Sequence, residues 1–268
     1  MIFGNSAQRA LLPDFLERGP RTVCLAGDPH LGKSSFLREE LPHLVSDSDL
    51  MFSDPGPDGA REARAFASTE PVHGDLRVLV VENIDAMSGG AQDAYLKLLE
   101  EPPPSLRVLV TASDTGHIQP PLLSRMRLVS RWSPLSDEDM VAFASTIDPV
   151  DDSLFPIARG RPGVYSRIHG KSAFKDLFAT VSLSVTVRGD PFMDPIPEAL
   201  GSLSGPDDRS VVAFVCRSAA LVPGAIPELS AHILRFCSVL SSVPSASATM
   251  HWTRAAAAMS RSLYDQRL

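Results

Sequence analysis

The fold is decided by the stretch Gly27-Asp28-Pro29-His30-Leu31-Gly32-Lys33-Ser34. It is a full match to the phosphate-loop pattern, in which two glycines separated by four residues precede Lys and Ser. The apolar run at residues 23–26 predicts a buried strand before the loop, and residues 34–41 predict a helix after it. Because the pattern requires this context, the sequence favours a nucleotide-binding loop over an ordinary Gly-rich turn.

The residue types of this loop suit a nucleotide. Glycines let backbone N–H groups turn towards phosphate oxygens, and the following helix N-terminus adds partial positive charge. Lys33 would neutralise the β- and γ-phosphates of ATP, and the Ser34 hydroxyl would ligate Mg²⁺. His30 stands where many such loops have another Gly, which narrows the backbone angles available. The predicted cofactor-binding residues are Gly27, Asp28, Pro29, His30, Leu31, Gly32, Lys33, Ser34, Ser35 and Ser113.

Composition bounds the class of protein. With 268 residues and 44% hydrophobic residues, the chain can bury a sizeable core. A formal net charge of −7 argues against coating nucleic acid by bulk electrostatics. The start has no signal-peptide pattern and no apolar run reaches about 18 residues, so we expect a cytoplasmic protein without membrane contact. The three isolated cysteines, together with Trp132 and Trp252, are predicted to be core residues.

Strands alternate with helices after the loop. Residues 78–81 predict a buried strand that ends in Glu82, and residues 108–111 predict another that ends at Ser113-Asp114. Such alternation predicts a parallel sheet, whose ligands lie at the carboxyl ends of its strands. Glu82 is therefore our candidate for holding Mg²⁺ with Ser34; the plain alternative is an acid that only ends a strand.

Three blocks of this region resemble the ATPase domain of clamp-loader subunits, AAA+ proteins that open ring-shaped sliding clamps and place them on primed DNA. Residues 77–85 read R-V-L-V-V-E-N-I-D and are similar to the family's D-E-A-D strand. Residues 94–103 contain L-E-E-P-P, and residues 122–126 contain an S-R-x triplet. The resemblance runs from residue 3 to about residue 135 and implies an α/β fold with an AAA+ phosphate-loop domain.

The chain departs from this family at the positions that serve hydrolysis. Glu82 matches the first acid, but Asn83 stands where a second acid would polarise the attacking water, and an amide cannot take that proton. Asp114 would add negative charge near the γ-phosphate, and Gly163 occupies the Arg position of a G-x-x-R motif. The pattern is most similar to the delta-prime branch of bacterial loaders, in a compact, phage-like form without the zinc module. We expect ATP binding with very slow hydrolysis or none.

The S-R-x triplet implies a role between subunits. In the family its Arg is a finger that reaches a neighbouring subunit's nucleotide, and the resemblance gives this role to Arg125. Arg127 is a rival for the role, and the plain alternative is a surface Arg paired with a carboxylate. The implied partners are other loader subunits in a pentamer-like spiral, a sliding clamp, and primer-template DNA within that assembly.

After residue 135 the pattern becomes helical. By resemblance, helices at 137–145, 152–159 and 162–169 form a lid, and the later apolar spacing suits a collar through which subunits associate. The predicted domains are 1–134 (nucleotide binding), 135–172 (lid) and 173–268 (collar). A plain helical bundle without an oligomeric role is the alternative for the last of these.

Two other functions remain as alternatives. One is a free-standing phosphate-loop kinase or nucleotide hydrolase acting on a small substrate, and the other is an AAA+ replication or repair factor without a clamp partner. The first predicts a catalytic acid after the buried strand and an Arg-rich lid. Asn83 and the Pro162-Gly163 turn speak against it.

Overall fold

The computed structural model describes residues 2–54, 56–186 and 206–240. The chain divides into two compact units, residues 1–143 and residues 144–268. The first unit is an α/β structure built on one sheet. Its strands are β1 (Thr22–Ala26), β2 (Leu50–Ser53), β3 (Arg77–Val81), β4 (Leu106–Ala112) and β5 (Arg127–Arg131).

All strand pairs of the sheet are parallel, in the order β2-β3-β4-β1-β5. The carboxyl ends of the strands form one edge of the sheet, here called the carboxyl edge, and their starts form the amino edge. β1 and β3 are buried along their whole length, as expected for strands covered on both faces. Both features confirm the parallel sheet predicted from the alternating pattern.

Helices cover both faces because successive strand residues point to opposite sides. Val23 and Leu25 belong to one core cluster, whereas Cys24 and Ala26 belong to the other. The first cluster includes residues of α1 and α2, and the second includes residues of α3, α4 and α5. These helices are α1 (Ser6–Arg18), α2 (Lys33–Leu44), α3 (Pro57–Ala67), α4 (Gly89–Glu100) and α5 (Pro120–Leu123).

Two local features of this unit were not predicted from the sequence. α1 contains Pro13 and remains continuous, with Leu12, Phe15 and Leu16 buried against the sheet. β5 was not anticipated, since its Arg residues at both ends interrupt any apolar run. Trp132, directly after β5, is 4% exposed and confirms the core prediction.

The described part of the second unit consists of helices and turns. α6 (Asp137–Ala144) leads into it, and its Asp139 N–H donates to Ser136 Oγ at 3.1 Å, so Ser136 caps the start of this helix. The helix expected at 152–159 is a 3₁₀ turn followed by a short α-helix, because Pro156 has no N–H to continue the ladder. The helices are α7 (Phe155–Ala158), α8 (Pro162–Ile168), α9 (Ser172–Thr186), α10 (Pro206–Ala220) and α11 (Pro227–Leu240).

The later helices form the packed part of this unit. Ile226 N–H, directly before α11, donates to Val185 O of α9 at 2.8 Å, and Ser230 Oγ of α11 donates to Ala220 O at the end of α10 at 2.8 Å. The helical spacing expected late in the chain is confirmed by α10 and α11, whereas Trp252 lies outside the described residues. The division into lid and collar stays a prediction. No helix among the described residues combines the length and apolar character that a bilayer crossing requires.

Candidate nucleotide-binding site

The phosphate loop connects β1 to α2 at the carboxyl edge. Gly27 N–H donates to Ala112 O at 3.2 Å, which joins the start of the loop to β4. A Cβ at Gly27 would lie 2.6 Å from Trp132 O, so no larger residue fits there. Gly32, directly before α2, has φ 92°, which only Gly adopts without strain. Backbone geometry thus explains both glycines of the motif.

His30 takes the conformation that a glycine would otherwise supply. Its φ is 66°, in the left-handed region that few non-Gly residues adopt, although His is enriched there. The substitution therefore does not force a different loop shape. Asp28 and Pro29 are exposed at the tip, whereas Leu31 is 3% exposed and belongs to the core cluster under α1 and α2.

Lys33 is buried under the loop. Its side chain is 5% exposed, and Nζ donates to Gly27 O and, at 2.8 Å, to Asp28 O. Burial lowers the pKa of Lys33 to about 8, and the negative charges of Asp85 and Asp28 oppose that shift. A bound phosphate oxygen would replace these carbonyl oxygens as the acceptor for Nζ. Its negative charge would stabilise the protonated form of Lys33.

Glu82 follows β3 at the same edge, as predicted. Its Oε2 forms an ion pair with Arg38 of α2, while its Oε1 is buried and has no hydrogen-bond partner. The Glu82 side chain is 16% exposed. An unsatisfied buried carboxylate oxygen is expensive in isolation, and it suits a carboxylate that accepts a water or a cation. Ser34, at the start of α2, and Glu82 are the residues that fit Mg²⁺ here. Among the described residues, this edge included, no group of three or more His, Cys, Asp or Glu side chains that could hold a metal ion is found.

Asn83 lies exposed next to Glu82. Its φ and ψ are 50° and 49°, a left-handed conformation that Asn tolerates better than most residues. Its N–H donates to Thr111 Oγ1 of β4 at 2.9 Å. The residue at this position therefore shapes the chain after β3, and its amide supplies no general base.

Asp85 is a site residue that sequence reasoning missed. Its Oδ2 accepts hydrogen bonds from Ser113 N–H at 3.0 Å and Asp114 N–H at 2.9 Å, and its Oδ1 is buried without a partner. Its charge also acts on Lys33 and on Cys24, whose pKa is raised to about 12 mainly by burial. Asp85 thus holds the end of β4, and its negative charge lies near enough to act on Lys33. The available signal was its place as the last acid of the block at residues 77–85.

Asp114 has a local structural role. Its Oδ1 accepts from Gly116 N–H at 2.8 Å, and its Oδ2 lies 3.2 Å from His117 Nδ1. Asp114 therefore caps the 3₁₀ turn Thr115–His117, which accounts for an acid at this position without any nucleotide. Gly163 is the second residue of α8 in the other unit.

Arg125 lies at the opposite edge of the sheet from the phosphate loop. It precedes β5, and in the pairing of β5 with β1 Arg127 lies beside Val23 at the amino edge. Since a strand rises about 3.3 Å per residue, the length of β1 separates the two edges by roughly 13 Å. Arg125 Nη2 lies 2.6 Å from Glu100 Oε1, and Nη1 donates to Pro121 O at 2.6 Å. The plain alternative, a surface Arg paired with a carboxylate, describes these contacts correctly.

A charged groove of about 570 Å³ surrounds Arg125 at the amino edge. The end of α4 and the starts of β1 and β5 form its walls. Its charged lining residues are Arg21, Glu100, Glu101, Arg125 and Arg127. The L-E-E-P-P and S-R-x blocks of the sequence therefore meet in one surface, which neither block alone could indicate.

Comparisons with known proteins find one family model and several solved structures similar to this chain. The family model described as "DNA polymerase III, delta subunit" matches residues 55–132, the segment from before α3 to the end of β5. A DNA polymerase III gamma subunit-related protein from Thermotoga maritima aligns over 95% of this chain and 99% of its own, with 14% identity and a TM-score of 0.59. A RuvB variant from Thermotoga maritima aligns over 92% of this chain and 84% of its own, with 17% identity and a TM-score of 0.49. A search of curated proteins gives no significant match.

The family match covers the segment from α3 to β5 and does not include the phosphate loop, whereas the matched structure covers nearly the whole chain. The chain therefore has an α/β fold similar to that of the gamma subunit-related protein, and its residues 55–132 match the family model described as DNA polymerase III, delta subunit.

Proposed function

We propose that this chain is a subunit of a sliding-clamp loader that binds ATP–Mg²⁺ and offers Arg125 to the nucleotide of a neighbouring subunit. One observation carries the proposal: a complete phosphate loop and the S-R-x arginine lie at opposite edges of the same sheet. An Arg at the amino edge cannot reach a nucleotide bound at the carboxyl edge of its own chain. Each full site would then need two subunits.

The chain's own residues account for nucleotide binding. The loop N–H groups and the N-terminus of α2 hold phosphates, and the buried Lys33 adds the positive charge. Ser34 and Glu82 are the groups that would hold Mg²⁺, which neutralises charge on the β- and γ-phosphates when it is bound. Ser113, fixed by its hydrogen bond to Asp85, lies at the end of β4 on the same edge.

Hydrolysis by the chain's own site is weak in this account. Asn83 cannot accept a proton from water, and the nearby Asp85 directs one oxygen to two backbone N–H groups. Gly163 supplies no charge at the position where hydrolysing relatives have Arg. The chain would hold nucleotide and serve the chemistry of its neighbour.

The acidic balance fits a subunit that meets DNA only within an assembly. At a formal charge of −7, the monomer would displace few counterions from DNA, so this contribution to its DNA affinity is small. We expect salt-sensitive DNA binding by the assembled loader and no tight binding by the monomer at about 0.15 M salt. The described α9, α10 and α11 would belong to the collar that joins the subunits.

The direct test is mass analysis of the complex that co-purifies with the tagged full chain at its natural expression level. The proposal expects other AAA+ subunits in fixed ratio and a ring-forming clamp that joins in the presence of ATP. The proposal is contradicted if the chain is recovered alone as a monomer, as expected for a free-standing kinase that acts on a small substrate.

A further inference from the structure

Arg38 is a charged neighbour of the candidate metal site that the proposed function does not use. It lies four residues after Ser34 on α2, so both residues belong to the same face of that helix. Its guanidinium pairs with Glu82 Oε2 and lies 4.5 Å from the centre of the Phe52 ring. One face of α2 therefore carries Ser34 beside the phosphate loop and, one turn later, Arg38 in contact with Glu82, the candidate metal ligand.

Arg38 is held from two strands. Phe52 is in β2 and Glu82 follows β3, and the two strands pair in register with Phe52 beside Val80. A cation over an aromatic ring and in contact with a carboxylate is attracted by both. The guanidinium therefore lies beside Glu82, with the Arg38 side chain 56% exposed.

The two oxygens of the Glu82 carboxylate differ in their contacts. Oε2 is engaged by Arg38, whereas Oε1 is buried and has no partner. A carboxylate attracts a divalent cation through its negative charge, and a guanidinium in contact cancels that charge and repels a second cation. The unpaired Oε1 can still accept a contact from a cation. The Arg38–Glu82 ion pair therefore weakens cation binding at Glu82 without preventing it.

We propose that Arg38 sets the metal dependence of nucleotide binding in this chain. By neutralising Glu82, it makes the affinity for ATP depend little on Mg²⁺, so that the subunit retains nucleotide through the loop and Lys33. The inference rests on the proposed nucleotide site and names Arg38 as a positioning residue that acts through Glu82.

The experiment measures the ATP affinity of the full-length chain by calorimetry, once with Mg²⁺ and once with EDTA. The readout is the ratio of the two dissociation constants. We expect a ratio below about threefold for the native chain and a rise to about tenfold for Arg38→Gln, since a neighbouring unit charge at contact distance changes cation binding by an amount of this order. An unchanged or smaller ratio in Arg38→Gln overturns the proposal.

Three further variants complete the test. Arg18→Gln removes the same charge at the end of α1, on an exposed side chain near the amino edge, and should keep the native ratio. Arg38→Lys keeps the charge and should also keep the native ratio, so a tenfold rise there contradicts a charge mechanism. In a Glu82→Gln background, Arg38→Gln should have no further effect, and a full effect there shows that Arg38 does not act through Glu82.

Failure of this inference differs from failure of the proposed function. If the native chain binds no ATP under either condition, the nucleotide site itself is wrong. If the native chain binds ATP and the Arg38→Gln ratio stays at the native value, only the role of Arg38 is wrong. Circular dichroism of each variant confirms that the fold is present before binding is compared.

Discussion

The two edges of the sheet differ in what their charged residues are bound to. At the carboxyl edge, Lys33 is buried, and Glu82 and Asp85 each have a carboxylate oxygen without a partner. At the amino edge, Arg125 and Glu100 satisfy each other on a half-exposed surface. A buried carboxylate oxygen without a partner suits a bound water or cation, whereas an exposed pair can exchange partners at little cost. In our proposal, the carboxyl edge therefore holds the nucleotide, and the amino edge releases Arg125 to another molecule.

The largest expected effect comes from the amino edge. Arg125→Ala in the reconstituted assembly should lower ATP turnover by the partner subunits by roughly 10³–10⁵-fold, the range known for well-placed arginine fingers. Turnover is followed by phosphate release, and size-exclusion chromatography checks that the assembly persists. Arg127→Ala is the matched control from the same groove. Native turnover by an intact Arg125→Ala assembly refutes the finger role of Arg125. If only Arg127→Ala lowers turnover, Arg127 is the finger.

The next effect concerns hydrolysis at the carboxyl edge. The isolated native chain should turn over ATP about 10²–10⁴-fold more slowly than the usual ~10 s⁻¹, because Asn83 replaces the general base. Asn83→Glu should recover part of this rate, and Asn83→Gln, which has no carboxylate, should recover none. Turnover near the usual rate in pure native protein contradicts the account.

Lys33 should lower the free energy of unfolding, although it contributes to nucleotide binding. Its pKa is lowered to about 8 in the folded chain from an ordinary value of 10.5, chiefly by burial. The unfolded chain therefore binds more protons between about pH 8 and 10.5, and stability rises with pH across that window. Lys33→Met should raise the unfolding free energy at pH 7 by up to about 3 kcal/mol, a gain that shrinks towards pH 10.5.

Urea unfolding of the native chain and of Lys33→Met at pH 7 and pH 10 measures this difference. Lys175→Met, a half-exposed Lys in the other unit, is a control for the change of residue type, and its effect should not follow the same pH window. A destabilised Lys33→Met at pH 7 would show that the carbonyl contacts of Lys33 outweigh its desolvation.

The smallest effect belongs to the Arg125–Glu100 pair as a structural contact. Both side chains are more than a third exposed, and such pairs contribute about 1 kcal/mol or less. Glu100→Gln should therefore leave the midpoint of thermal unfolding nearly unchanged, with Glu101→Gln as the neighbouring control. A loss of several degrees in Glu100→Gln alone would show that Arg125 has a structural role in this chain.

The sequence predicts which residues stand at the carboxyl edge because these signals are local. The loop from Gly27 to Ser34 and the acid after β3 are each read from a few consecutive residues. Asp85, Arg38 and Glu100 were missed as site residues because their roles depend on contacts between elements far apart in the chain, such as Asp85 with Ser113. β5 was missed because an edge strand between two arginines has no continuous apolar run.

The central claim is that the two edges serve different nucleotides, and ATP titration of the isolated full chain tests it most directly. Lys33→Ala should lose about ten- to a hundredfold in affinity, because a charged phosphate contact is worth on the order of 1.5–3 kcal/mol. Arg125→Ala should bind ATP as tightly as the native chain. Loss of affinity in Arg125→Ala, or native affinity in Lys33→Ala, would contradict the assignment of the two edges.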